Sequence, residues 1–202
     1  MPTYDECLVE AELRARACYA EPGRHYHDER HLDECEQRLD GIVGLNEPDR
    51  RLLRWALLWH DAIYDPRHSD NEERSADLAQ RELMRCGVSG ADVEEVGRLI
   101  ILTKGHRVAD GDSLGALVVS IDLAILGSDP PRYREYVEDV RREYAHVPDD
   151  QWRIGRAEVL KSLIGHRAIF PAEALRAELE DQARQNMADE LSSLGTPGNR
   201  MI

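Results

Sequence analysis

Apolar positions recur at three- and four-residue intervals along most of this 202-residue chain, and no stretch alternates convincingly with period two. That pattern predicts helices throughout. Residues 4–20 make a first helix, followed by the turn formers Glu21-Pro22-Gly23-Arg24, and residues 28–40 make a second. A third, with Asp49 as its cap, ends near Asp61. Ser69, Asp70 or Asn71 caps a fourth, with Glu72 and Glu73 in its first turn and Gly87 as its stop. Ser89 begins a fifth that runs to about Lys104 and is stopped by Gly105. Asp112 or Ser113 then caps LGALVVSIDLAILG, where Val118, Val119 and Ile121 favour a strand. A length of about fourteen residues between end signals favours a buried helix instead. Pro130-Pro131 opens a helix through Tyr144, Pro148 another through Arg167, and Pro171 a last one to about Leu194. The pattern therefore predicts an all-α protein of about eight or nine helices, a single domain over residues 1–194, and a disordered tail over 195–202.

Two polar interruptions stand out against this pattern. Leu52-Leu53-Arg54-Trp55-Ala56-Leu57-Leu58-Trp59 is apolar on nearly every face, as a helix buried all round would be, yet it ends in His60 and Asp61. Asp122 repeats the problem inside Val118-Val119-Ser120-Ile121-Asp122-Leu123-Ala124-Ile125-Leu126. A buried carboxylate is costly without a partner and is driven toward protonation. A third segment, RHYHDERHLDEC, places His27 and His31 four apart on one helix face. Gathered together, His31, His60, Asp61 and Asp122 make a mixed nitrogen and oxygen site for a divalent cation: Mn, Mg, Co, Ni, Fe or Zn.

Composition narrows the function. Forty acids against 26 Lys and Arg give a net charge of −14, which disfavours a sequence-independent grip on a nucleic acid polymer. No run approaches the ~18 apolar residues of a membrane span. The polar, acidic start resembles neither a signal nor a transit peptide, so the expected location is cytoplasmic. The cysteines Cys7, Cys18, Cys35 and Cys86 form no CxxC pair and are expected to be ordinary reduced thiols.

The order His, His-Asp, Asp on a helical chain resembles the HD superfamily of metal-dependent phosphohydrolases. The blocks RHYHDERHL, LLWHDAIYDPRHSDNEERSA, TKGH, IDLAILG and VRREYAHV…GR resemble one bacterial branch of predicted metal-dependent phosphohydrolases over about residues 4–190. The resemblance implies an HD-type helical bundle, hydrolysis of a phosphate ester or anhydride, and a small, nucleotide-like phosphorylated substrate. The block Tyr26-His27-Asp28-Glu29-Arg30-His31 also resembles the start of cyclic-nucleotide phosphodiesterases, which usually have Asn where Asp28 stands. Carried over, His27 is the general acid and His31 a metal ligand. Spacing alone leaves those two roles interchangeable.

The same resemblance makes Asp61 the residue that orients the attacking water and Glu73 a candidate water-positioning base. His68, His106, Lys104 and Arg24 are candidates for substrate or second-metal contact, and Arg141 and Arg156 for phosphate. Other readings stay open. A non-catalytic nucleotide or metal sensor could keep every ligand. A diiron oxygenase needs two further histidines, which His68 and His106 supply in number. An alarmone hydrolase would carry a Glu-Asp pair where Tyr64 and Asp65 stand.

Overall fold

The structure, a computed structural model, describes residues 2–195, and all its regular elements are helical. They are α1 (Tyr4–Tyr19), α2 (Glu29–Asp40), α3 (Glu47–Trp59), α4 (Asn71–Arg85), α5 (Gly90–Gly105), α6 (Ser113–Asp122), α7 (Pro130–Glu143), α8 (Asp149–Ile164) and α9 (Glu173–Gly195). A 3₁₀ segment, Leu123–Gly127, follows α6 directly. The helix–strand ambiguity at Val118–Ile121 is thus resolved as helix. Gly195 ends α9; the rest of the expected tail, 196–202, lies outside the described residues.

Contacts divide the chain into two compact units, Met1–Asp122 and Leu123–Ile202. The sequence pattern predicts one domain because this junction carries no linker: Asp122 and Leu123 lie inside one apolar run.

In the first unit α3 is the central rod, packing against α1, α2, α4, α5 and α6. Leu52, Leu53 and every residue from Trp55 to Trp59 are buried, as an all-round apolar helix requires. Its cap is Asn46, whose side chain accepts the Asp49 backbone N–H at 2.9 Å. Asp49, the expected cap, sits in the first turn and receives a 2.8 Å bond from the Asn46 amide. Helix α1 buries the stripe Cys7, Ala11, Ala15 and Tyr19, spaced four apart.

Cys7 on α1 is disulfide-bonded to Cys86 at the end of α4, with Cα atoms 5.3 Å apart. The expectation of four reduced thiols is corrected for this pair. The two residues are 79 apart in sequence, so no local spacing rule could find them. Disulfides persist in oxidising surroundings, which removes thiol state as an argument for a cytoplasmic location. No single helix among the described residues is long and apolar enough to cross a membrane.

The second unit has a polar heart. Arg156 is forked onto the Glu190 carboxylate at 2.7 and 3.1 Å and donates to the Tyr136 hydroxyl at 3.0 Å, while the Tyr133 hydroxyl donates to Glu190. Arg156 and Glu190 are both buried, so Arg156 serves this core and does not offer its charge to a phosphate. Next to it the backbone of Leu179 runs against Gly127, where a Cβ would lie 2.8 Å from the Leu179 carbonyl oxygen.

Candidate metal centre

Helix α3 ends at His60, and the imidazole takes part in that ending. His60 Nδ1 lies 2.7 Å from the Leu57 carbonyl oxygen, a carbonyl the helix leaves without its regular partner. The carbonyl can only accept, so Nδ1 carries the proton and Nε2 faces the other way. What Nε2 meets are the His31 ring nitrogen Nε2 at 3.1 Å and two carboxylate acceptors, Asp61 Oδ2 at 3.1 Å and Asp122 Oδ1 at 3.5 Å. His31 Nε2 in turn lies 3.8 Å from Asp61 Oδ2 and 3.5 Å from Asp122 Oδ1.

The four donors come from α2, the end of α3, the turn after it and the last residue of α6, and both histidines are fully buried. Lone pairs converging on one point repel unless a cation lies among them, either a proton or a metal ion. The two Nε2 atoms are 3.1 Å apart and each carboxylate oxygen lies 3.1 to 3.8 Å from both, spacings at which neighbouring ligand atoms can share one cation about 2 Å away.

Electrostatics point the same way. Burial opposes charge on His60, but the carboxylates of Asp61 and Asp122 outweigh it and raise its pKa well above the usual imidazole value. Burial likewise opposes ionisation of Asp61, and the His60 and His27 rings overcome it, holding the carboxyl far below the ordinary range. For Asp122 the opposing burial is overcome by His106, His31 and His60.

Cys35, one turn after His31 on α2, is a candidate ligand that reading the sequence missed. His31, Cys35 and His60 form a buried group whose ligand atoms lie within 4.8 Å of one another and could hold a metal ion. The Sγ is 3.9 Å from both nitrogens of His31. Burial, with Asp122 and Asp61 nearby, pushes this thiol well above its ordinary pKa, so it is a neutral S–H while the two carboxylates are anionic. The i,i+4 spacing His31-x-x-x-Cys35 was the available signal.

The other candidates separate into two groups. His27 lies beside the cluster, its ring 6.0 Å from that of His31, in edge contact with Tyr26 at 4.8 Å and stacked on Tyr64 at 4.1 Å. His106 reaches the second oxygen of Asp122, with Nε2 3.3 Å from Oδ2. It caps α5 in the left-handed region at φ 52°, the one non-glycine residue with positive φ among those described. Such a conformation is costly and needs its surroundings to hold it.

Glu73, by contrast, is exposed and ion-paired with Lys104, which also donates to the Ser69 carbonyl. His68 is exposed beside Asp65 at 3.6 Å. Neither Glu73, Lys104 nor His68 joins the donor cluster. The block Asn71-Glu72-Glu73-Arg74-Ser75 serves the site from its other face. Ser75 Oγ accepts from the Ile63 N–H at 3.0 Å and donates to its carbonyl at 3.2 Å, and Asn71 bonds both backbone groups of Asp65. These two buried residues pin the turn that carries Asp61. Arg24 is buried too, with its fork on backbone carbonyls.

No protein-family model, no curated protein and no solved structure matches the chain.

Proposed function

We propose that the protein is a metal-dependent phosphohydrolase of HD type, acting on a phosphate ester or anhydride of a small, nucleotide-like molecule. The observation that carries the reading is the convergence of two imidazole Nε2 atoms and two carboxylates on one buried point, with His60 Nδ1 committed to Leu57. His31, His60, Asp61 and Asp122 would hold a divalent cation, which supplies positive charge that activates water and polarises a phosphoryl oxygen. Asp61 accepts a hydrogen bond from the attacking water and orients it. The water oxygen bonds to phosphorus, the bond to the leaving oxygen breaks, and His27 supplies the proton that oxygen needs. Because the protein does little covalent work in such a reaction, positioning and charge neutralisation carry most of the rate.

The test is to strip the protein of metal, reload it with Mn²⁺ or Mg²⁺ without oxygen, and assay a panel of phosphorylated metabolites for phosphate or nucleotide release. Release that is lost in His27→Asn while the metal stays bound supports the reading. Turnover that needs iron and consumes oxygen overturns it in favour of an oxygenase. Metal binding with no turnover of any kind overturns it in favour of a sensor.

A further inference from the structure

We propose that Arg24 and Tyr64 are the positioning residues of this site, fixing the His27 ring against the main chain of Asp61 without touching substrate. The inference rests on the reading of His27 as proton donor and of Asp61 as ligand.

The Arg24 side chain is 3% exposed. One terminal nitrogen, Nη1, donates to the His27 carbonyl at 3.2 Å and to the Asp61 carbonyl at 2.6 Å. The other, Nη2, donates to the Ala62 carbonyl at 2.9 Å and to the Glu21 carboxylate at 3.1 Å. One cation therefore clamps the loop after α1 to the turn after α3, and no N–H is left to grip a phosphate from either terminal nitrogen.

The flat faces of the guanidinium are used as well. Its carbon lies 5.4 Å from the centre of the Tyr19 ring and 5.7 Å from that of Tyr64, within the range of cation–π attraction. Tyr64 carries the contact onward, because its ring stacks on His27 with planes 24° apart. Tyr19 completes the frame by accepting the Asp61 N–H at 3.3 Å. His27 is thus held at its carbonyl by Arg24 and at its ring by Tyr64, and Asp61 at both backbone groups.

Only arginine can do this. A lysine brings one nitrogen with no plane to stack, and cannot span carbonyls on two chain segments. Tyr64 contributes a ring face, so phenylalanine should replace it and leucine should not.

The experiment uses the full chain with Arg24→Lys, Tyr64→Leu and Tyr64→Phe. Mn²⁺ alone is titrated by calorimetry, and the imidazole carbon-bound protons of His27 are followed by NMR in Zn²⁺-loaded protein. In wild type they should lie upfield, shielded by the Tyr64 ring. We expect metal stoichiometry to be kept in all three variants. The upfield shift should vanish in Tyr64→Leu and Arg24→Lys and persist in Tyr64→Phe. On a hydrolysed substrate kcat should fall about 10- to 100-fold in the first two, the scale of a catalytic group misplaced by an ångström, with KM unchanged and Tyr64→Phe restoring the rate.

A raised KM at unchanged kcat in Arg24→Lys overturns the proposal and makes Arg24 a substrate contact. A wild-type His27 signal in Tyr64→Leu also overturns it, and that variant carries the test alone should Arg24→Lys not fold. Because the NMR readout needs no turnover, it decides the positioning claim even where the hydrolase reading fails.

Discussion

Replacing Asp61 by Asn removes one charge from the donor cluster while keeping the shape of the side chain. Asp61 Oδ2 lies 3.1 Å from His60 Nε2 and 3.8 Å from His31 Nε2. Taking one charged partner out of a buried set costs about 3–5 kcal/mol. The Asp61 side chain keeps 14% of its surface in solvent, so the lower half of that range applies. At about 1.4 kcal/mol per tenfold in Kd, the variant should bind Mn²⁺ roughly a hundred- to thousandfold more weakly. Calorimetric titration of metal-free protein measures this, with far-UV circular dichroism to show that the helices remain. Asp65→Asn, four residues along and bonded to the Arg67 N–H on the surface side, is the matched control and should bind as wild type does. Equal affinities for Asp61→Asn and wild type would refute Asp61 as a ligand and leave the His31, Cys35 and His60 group as the centre.

The metal-free protein should have a stability optimum in pH. Asp61 and Asp122 titrate below their unfolded values, so their contribution is lost as pH falls below the usual carboxylate range; His60 titrates above its own, so its contribution, full below about 6.5, is lost as pH rises through the raised value. Thermal midpoints across pH should show that alkaline loss without metal and not with saturating Mn²⁺; parallel profiles would count against a metal taking the place of the His60 proton. Reduction of the Cys7–Cys86 disulfide should lower stability by about 2–4 kcal/mol, read as a shift of the urea midpoint with and without reductant, and Cys7→Ser should make the protein indifferent to reductant. Glu190→Ala should cost about 3–5 kcal/mol, because it leaves the buried Arg156 charge without its carboxylate; a urea midpoint near wild type would show that water or another group replaces Glu190.

The helices were legible because their period, caps and stops agree, as for α5 between Ser89 and Gly105. His60, Asp61 and Asp122 were legible for the opposite reason, as expensive groups in apolar runs. Other features depend on contacts that no local pattern encodes. The Cys7–Cys86 link joins distant segments, and Cys35 matters only because α2 turns that face toward His60. In the block after Asp61, the acids Glu72 and Glu73 draw the eye, yet Asn71 and Ser75 are the residues facing inward. From its sequence position alone, Arg24 would serve as a free cation for phosphate. Its burial depends on carbonyls from the turn after α3, and backbone acceptors carry no sequence signature.

The Cys7–Cys86 link also makes part of the site a closed ring. His31, His60 and Asp61 lie inside the covalent loop, and Asp122 lies outside it. When the oxidised chain unfolds, the ring brings His31 and His60, already only 29 residues apart along the chain, modestly closer than in the reduced chain. Were a cation bound there as proposed and released by heat, it would meet on cooling a chain in which three of the four groups are covalently ringed. If the site holds metal as proposed, reloading after a thermal excursion should therefore be somewhat faster in the oxidised protein than in the reduced one.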